Sequence, residues 1–424
     1  MILNSIEPRS ERGDIVYPLY HGQSLANVPA TIAKILGTKI DGVPINEEFY
    51  SGNINLRGIK KVVFFLFDGL GYRMLNDAKP DGFFKSISKR GMIMPITSVF
   101  PSTTSAAITT VSTGLTPNQH GLAEWLLYMK EIKMAIKTIP FTKLSKHNID
   151  LKKIGTDPKI LYNGKTFYQK LSAHGIKSLS LMPKGIAHGT FSNIMKKGSE
   201  TIPYISHTDA SITINRLIRS EKSRTYINSY METIDTVTHF YGPFGENSRS
   251  EIASVSSILE KQLLEKADRK SAEDTLVIFT ADHGHTKVDM NSTEYINNDK
   301  KFMGFLGREN GRIIPPVGSP RDLFIHIKEG KLDEAYNYIS SKYSGIAKII
   351  KSQNAVDMGL FGNGNASRRL KQRIGDIMIL PDDGKTIWYH HLKTGKESYL
   401  GLHGGLSANE MLIPLGMARL SDII

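Results

Sequence analysis

Three stretches of this chain are nearly unbroken apolar runs, and each leads into an acidic residue. Residues 60–67 read Lys-Lys-Val-Val-Phe-Phe-Leu-Phe and stop at Asp68-Gly69-Leu70-Gly71. Residues 226–231 precede Asp235, and residues 275–280 run into Ala281-Asp282-His283-Gly284. Short runs rich in β-branched and aromatic residues are the pattern of strands buried on both faces of a sheet. Ligands of open α/β sheets gather beyond the carboxyl ends of the strands, so these acidic residues stand where chemistry is expected. Between the strands, 105–112 is small and Thr/Ala-rich, 164–174 carries spaced apolar residues and ends at Gly175, and 250–270 spaces its apolar positions at helical intervals among Glu and Lys. Alternating strands and helices predict an α/β fold, a mostly parallel sheet with helices on both faces.

Residues 291–400 break the pattern. They open with polar sequence punctuated by Gly and Pro, then suggest a strand at 322–327, a helix at 331–343 and strands at 375–380 and 385–389. This predicts an inserted, smaller α+β cap (291–400) in a catalytic core made of 1–290 and 401–424. No internal repeat, heptad or low-complexity segment is visible.

Composition changes the picture in three ways. A chain of 424 residues with 40% hydrophobic and 22% charged residues can bury a sizeable core. Zero cysteines exclude disulfides, zinc–thiolate sites and cysteine catalysis, and are compatible with a reducing cytosol. A net charge of +13, from 54 basic and 41 acidic residues, favours anionic partners: a phosphorylated small molecule, a nucleotide, or nucleic acid. A Lys-rich solvated surface accounts for the charge equally well. The first twelve residues lack the apolar run of a signal peptide, and 62–67 is far too short to span a bilayer. The expectation is a cytoplasmic protein with no membrane attachment.

Asp68, Asp235, His239, Asp282, His283 and His403 are six oxygen and nitrogen donors. Three Asp and three His divide into two sets of three, which suits a pair of bridged divalent ions. Asp282 and His283 are adjacent, on a turn that Gly284 permits. Asp235 and His239 stand four apart, so a helix there carries both on one face. His403, between Leu402 and Gly404, taken alone reads as an ordinary loop or core histidine. Thr103 and Thr104 follow Phe100-Pro101-Ser102 and open a helix, where a hydroxyl sits among free N–H groups that also favour a phosphoryl group. An N-cap is the commoner use of such a threonine, so one of the two can cap while the other attacks.

These segments, in this order, resemble the alkaline phosphatase superfamily and, within it, the type I phosphodiesterase/nucleotide pyrophosphatase family, over residues 60–290 and 400–418. Phe100-Pro-Ser-Thr-Thr104 stands ahead of Thr113-Gly-Leu-Thr-Pro-Asn-Gln-His120-Gly121 at the family's spacing. The resemblance implies Thr104 as nucleophile, with Thr103 as the alternative. It implies two metal sites, one of Asp68, Thr104, Asp282 and His283, the other of Asp235, His239 and His403. Zinc suits these donors best, with manganese or iron able to substitute. The implied activity is metal-dependent hydrolysis of phosphodiester or pyrophosphate bonds through a phosphothreonine, two inversions giving net retention at phosphorus.

The sulfatase branch has no counterpart here for its Cys/Ser-x-Pro-x-Arg setting, and the Ser-using phosphatase and mutase branches fit less well. One departure concerns substrate. Nucleotide-cleaving members place an Asn shortly after the His-Gly motif, whereas this chain has Leu122-Ala-Glu124-Trp125, with Trp125 at that position. Trp125 reads as a packed tryptophan, or else as a stacking surface for a base. Rival readings are a phosphomonoesterase or phosphonate hydrolase on the same site, and a nucleic-acid-binding or regulatory protein with little turnover. His285 reads as a residue supporting the metal site or a plain loop residue, and His120 as structural. Residues 359–365 read as a flexible Gly-rich loop, and Arg368-Arg-Leu-Lys371-Gln-Arg373 as a solvated helix face before an anion site. The cap, with Trp388 and Tyr389, is expected to set substrate preference.

Overall fold

The computed structural model describes residues 15–391 and 399–424. The N-terminal segment read above for a signal-type run lies outside them. Seven strands form one sheet: β1 (Lys61–Phe67), β2 (Met92–Thr97), β3 (Lys177–Pro183), β4 (Glu200–Tyr204), β5 (Thr225–Met231), β6 (Thr275–Ala281) and β7 (Leu412–Arg419), in the order β2-β7-β6-β1-β5-β3-β4. β6, β1, β5, β3 and β4 run parallel, while β7 is antiparallel to both β6 and β2. Every residue of β1, β5 and β6 is buried, which is why these segments show no strict polar alternation. β5 buries polar groups as well, and Asn228 there donates to the Tyr168 hydroxyl at 3.2 Å.

Register decides where the chemistry collects. Phe67 of β1 is level with Met231 of β5 on one side and Ala281 of β6 on the other. The residues that follow, Asp68, the turn toward Asp235, and Asp282-His283, therefore leave the sheet together at the carboxyl ends of three neighbouring inner strands. Asp235 and His239 lie on helix α2 (Thr233–Tyr241) and Thr104 opens helix α1 (Thr104–Thr113).

Other elements are shorter than expected. The helix at 164–174 is Phe167–Ser172, started by Thr166, whose hydroxyl accepts from Gln169 N–H at 3.1 Å. The long surface helix begins earlier, at Glu246–Leu259, passes into a π-turn at Glu260–Leu264 and resumes only as Arg269–Ala272. No helix among the described residues is long and apolar enough to cross a membrane.

Within 291–400 a second, four-stranded antiparallel sheet is built from Val317–Ser319, Asp322–Ile325, Ile377–Pro381 and Ala347–Lys351. Its strands are two-faced. Phe324, Met378 and Leu380 join the main core, while Leu323, Ile325, Ile377 and Ile379 build a second core with Ile339 and Tyr343 of the helix Leu332–Tyr343. Side chains alternate between faces along a strand, so this sheet is layered onto the main core by one of its faces. The strand expected at 385–389 is Ile387–Trp388, paired with Glu294–Tyr295 and outside this sheet. The two ends of the segment meet: Thr286-Lys287 pairs antiparallel with Gly401-Leu402, and Val288 N–H donates to Leu400 O at 3.0 Å.

A buried ion pair fastens the layers. Arg321 and Glu410 are fully buried, and the guanidinium donates to both carboxylate oxygens at 2.9 and 2.7 Å and to Asp382 O at 2.7 Å. Glu410 also accepts from Gly405 N–H at 2.9 Å, so the pair steadies the turn just after His403. Removing one member leaves the other charge buried and unpaired. Arg321→Met should therefore cost about 3–5 kcal/mol, read as a lower denaturant midpoint with unchanged m-value.

Candidate metal centre

The carboxyl ends of three inner strands, two helices and the loop after Gly401-Leu402 bring all seven expected residues together. Asp68 follows β1 with its N–H donating to Met231 O at 2.8 Å. One oxygen of Asp68 accepts from the Tyr230 hydroxyl, and its Oδ1 is buried without a hydrogen bond. Asp282 Oδ1 takes the N–H groups of Gly69 and His283, each at 2.9 Å, and Oδ2 is left without a partner. His283 Nε2 lies 3.4 Å from Asp68 Oδ1, 3.4 Å from Asp282 Oδ2 and 3.1 Å from Thr104 Oγ1. Asp235 Oδ1 is 3.4 Å from His239 Nε2 and 3.8 Å from His403 Nε2. The donor atoms thus form one group of Asp68, Asp282 and His283 and another of Asp235, His239 and His403, each within 4.8 Å.

The histidines are set by the backbone. Nδ1 of His239 faces Gly401 O at 2.8 Å, that of His403 faces Ser102 O at 3.0 Å, and that of His283 faces Gly284 O at 3.1 Å. A carbonyl only accepts, so each Nδ1 carries the proton and each Nε2 offers a lone pair to the centre. Electrostatics point the same way. Burial, then Asp235 and Asp282, raise the Asp68 carboxyl well above its ordinary value, and burial pushes Asp282 up to about 7. Burial drives His283 down to about 3 and His403 well below its usual range. Crowded carboxylates with unpartnered oxygens beside neutral imidazoles are a cation-binding set, because divalent charge relieves the repulsion and takes up the free lone pairs.

Two residues belong to this site that sequence reasoning missed or left open. His285 is fully buried, its Nε2 is 2.9 Å from Asp235 Oδ1, and its ring meets those of His239 and His403 at 4.8 and 5.1 Å. With Asp235 and His283 it forms a third group of close donors, so it is no plain loop residue. Tyr230 sits in a run that reads as core, and nothing in the sequence marks its hydroxyl as the partner of Asp68.

Gly284 also differs from expectation. Its need is space, since a Cβ there would meet Asn409 O and Gly71, whereas the positive φ belongs to Gly69 (73°), whose Cβ would lie 2.7 Å from His285 Nε2.

The threonine pair divides its roles. Thr103 is the N-cap residue of α1, yet its hydroxyl makes no cap bond and donates to Ala123 O at 3.2 Å. Thr104 is partly exposed and faces His283. Trp125 is not packed but 43% exposed. His120 is buried and ties Thr110 Oγ1 to Leu122 N–H, each at 3.1 Å, a structural role. The loop at 359–365 is anchored, with Asn118 N–H on Phe361 O and Asn118 Nδ2 on Asn363 O, both 2.8 Å. Arg373 departs from the solvated-face reading: it is fully buried, bonding Gly121 O at 2.7 Å and Ile160 O at 2.6 Å.

Beside the Thr103-Thr104 turn, Glu124 and Asp322 are both buried and interact with each other. Burial pushes Glu124 from an ordinary 4.5 up to about 7 and raises Asp322 well above its usual value. Folded-state values above the unfolded ones mean that the folded protein holds the extra proton. The associated stability is therefore present below pH 4.5 and lost as pH rises through about 7. Glu124→Gln should accordingly raise the melting temperature relative to the native protein above about pH 8, with little difference near pH 5. Paired thermal melts at the two pH values check this.

A profile of the family described as type I phosphodiesterase / nucleotide pyrophosphatase matches residues 62–406. Venom phosphodiesterase 2 of Crotalus adamanteus is 21% identical over 242 residues, which is 55% of this chain and 27% of that protein; venom phosphodiesterase 1 gives 21%, 55% and 26%. The chain thus spans about a quarter of the length of these curated relatives, 27% and 26%. Among solved structures, murine ectonucleotide pyrophosphatase / phosphodiesterase 5 superposes with a TM-score of 0.64 at 21% identity, covering 84% of this chain and 88% of that one. Phosphonoacetate hydrolase from Sinorhizobium meliloti 1021, in complex with phosphonoformate, gives 0.61 at 16% identity, covering 87% and 96%.

Proposed function

The chain belongs to the type I phosphodiesterase / nucleotide pyrophosphatase family, and from that premise we propose that it hydrolyses phosphodiester or pyrophosphate bonds of small phosphorylated substrates, nucleotides among them, with Thr104 as nucleophile. The observation that carries this reading is the position of Thr104 Oγ1, 3.1 Å from Nε2 of His283, a histidine that belongs to two of the donor groups. Asp68, Asp282, His283 and Thr104 would hold one divalent ion, and Asp235, His239 and His403 a second, zinc by donor chemistry. Such ions supply positive charge that acidifies the threonine hydroxyl and neutralises the leaving oxygen.

The chain's own groups do the rest. Thr104 Oγ1 forms a bond to phosphorus in line as the bond to the leaving oxygen breaks, its electron pair going to that oxygen. The first turn of α1 directs N–H groups at the phosphoryl oxygens. Water then cleaves the phosphothreonine and frees Thr104.

We assign substrate choice to residues 291–400, supported by the return of both ends of that segment beside His239. Its stretch 392–398 lies outside the described residues. The relative crystallised with AMP supports a nucleotide, and the relative holding phosphonoacetate supports a phosphonate. Glu124-Trp125, where nucleotide-cleaving members carry Asn, keeps the monoester and phosphonate readings as the second choice.

A panel of metal-reconstituted protein against a nitrophenyl diester, the matching monoester, a dinucleotide and phosphonoacetate tests the proposal. The diester or dinucleotide should exceed the monoester by at least roughly tenfold in kcat/KM. A monoester or phosphonate preference overturns it in favour of the second reading. Binding of long nucleic acid without turnover favours the regulatory one.

A further inference from the structure

Away from the metal centre, a cleft of about 720 Å3 opens between the hairpin of Leu126–Met129 and Met134–Lys137 and residues 307–329 and 366–376. None of the metal-centre residues lines it. Five cations and three carboxylates do. The carboxylates are largely spoken for: Glu309 is paired with Lys133 at 2.6 Å, and Asp376 accepts the Ile327 N–H at 2.7 Å, leaving Glu329. Among the cations, Arg308 is turned onto Gly311 O at 2.8 Å. Lys130, Lys328, Arg368 and Lys371 have no side-chain hydrogen bond or ion pair among the described residues.

Two lining side chains carry polar atoms that need a partner. Tyr128 is 4% exposed, packs edge to face on His326 at 5.3 Å, and its hydroxyl is buried without a hydrogen bond; so is Nε2 of His326. Burial holds His326 down at about 4, so it is a neutral imidazole. A buried hydroxyl without a partner has lost its hydration with nothing in exchange, and a ligand oxygen would restore that bond. Arg368 and Lys371 stand on the short helix α3 (Arg368–Arg373), whose other end is held by the buried Arg373, so the two exposed cations are presented from a fixed base.

We propose that this cleft is a second anion site, separate from the metal centre, that takes a small phosphate-bearing molecule. Its size falls within the range for small-molecule pockets, about 300–1,000 Å3. Lysines and an arginine converging on one space match the charge of a phosphate, with the guanidinium able to bind two of its oxygens. The Tyr128 hydroxyl adds a neutral donor suited to a third. Cations that only kept the surface solvated would not be expected to enclose two unpartnered polar groups.

Calorimetric titration of the full-length, metal-loaded protein with inorganic phosphate, and separately with adenosine monophosphate, tests this. Two classes of site are expected. Asp235→Asn, which strips one of the two ions, should weaken the class that belongs to the metal centre and leave the other unchanged. Arg368→Gln with Lys371→Gln should weaken the other class by roughly tenfold or more, the effect of losing a charge-assisted hydrogen bond. Tyr128→Phe should weaken it several-fold at an unchanged melting temperature. Equal binding of both probes assigns phosphate alone, and tighter binding of the nucleotide assigns a phosphorylated nucleoside. A single class of site in the native protein overturns the proposal, as does a second class indifferent to these substitutions. Salt-sensitive binding confined to long nucleic acid also overturns it.

Discussion

Thr104→Ala is expected to lower kcat by about ten-thousand-fold to a million-fold while both metal sites stay loaded, the scale seen when a covalent nucleophile is deleted. The side chain is partly exposed at the start of α1, so its loss leaves no cavity in the core. His283, the neighbour of its hydroxyl, keeps its other contacts, with Nδ1 on Gly284 O and Nε2 facing Asp68 and Asp282. Thr103→Ala should behave differently. That residue is 2% exposed and its hydroxyl is committed to Ala123 O, so the change should cost about 1 kcal/mol of stability and only a few-fold in rate. Single-turnover kinetics on both variants, with metal content measured alongside, separates the two threonines. The reverse pattern would move the nucleophile to Thr103.

Stripping the metals should also lower activity strongly, though less than loss of Thr104, and should weaken the fold. A loss of about a thousandfold in rate corresponds to the several kcal/mol of charge stabilisation such ions supply. Stability should follow through linkage. In the metal-free protein Asp282 holds its proton up to about 7, against an ordinary 3.8, because of burial. The folded state then binds a proton that the unfolded chain releases, so metal-free stability falls as pH rises from 3.8 through about 7. Saturating zinc removes that dependence and should raise the melting temperature by several degrees near neutral pH. Asp235 belongs to two of the three donor groups, so Asp235→Asn should reduce bound metal to about one equivalent. Metal analysis finding no more than one ion in the native protein would end the two-site assignment.

Much of this centre could be read in advance for a simple physical reason. Asp68 and Asp282-His283 close unbroken apolar strands, and a fully buried parallel strand has little other use for an acid at its tip. Asp235 and His239 were legible from helical spacing and lie on one helix. What stayed hidden was anything fixed by a contact distant in sequence. His285 becomes a centre residue only because Asp235 folds against it from 50 residues away. Tyr230 is an unremarkable strand residue until register sets it against Asp68, 162 residues earlier. The same holds for Arg321 and Glu410, whose mutual burial no local pattern announces, and for Arg373, which breaks from the exposed face of its own helix to reach Gly121. Trp125 erred the other way: size and apolarity argued for packing, while its backbone is the part engaged, the N–H by the Glu124 carboxylate and the carbonyl by Thr138 N–H at 2.7 Å.

The carbonyl partners of His239, His283 and His403 have a consequence for how this protein tolerates genetic drift. Had those rings leaned on carboxylate side chains, single base changes could unhook them. Every residue carries a carbonyl, so no replacement of the side chain at 102, 284 or 401 deletes the atom that orients the imidazole. Positions 284 and 401 are constrained for another reason, since a Cβ at either would strike a neighbouring carbonyl oxygen. His285 alone among the four has no carbonyl partner and leans on a carboxylate, Asp235, which makes that pair the weak seam of the centre. In a library covering every substitution, inactivating changes near these rings should therefore concentrate at the histidines, Asp235 and the crowded glycines. Position 102 should show losses traceable to the hydroxyl of Ser102, which donates to Gly405 O at 2.8 Å, and none traceable to the orientation of His403.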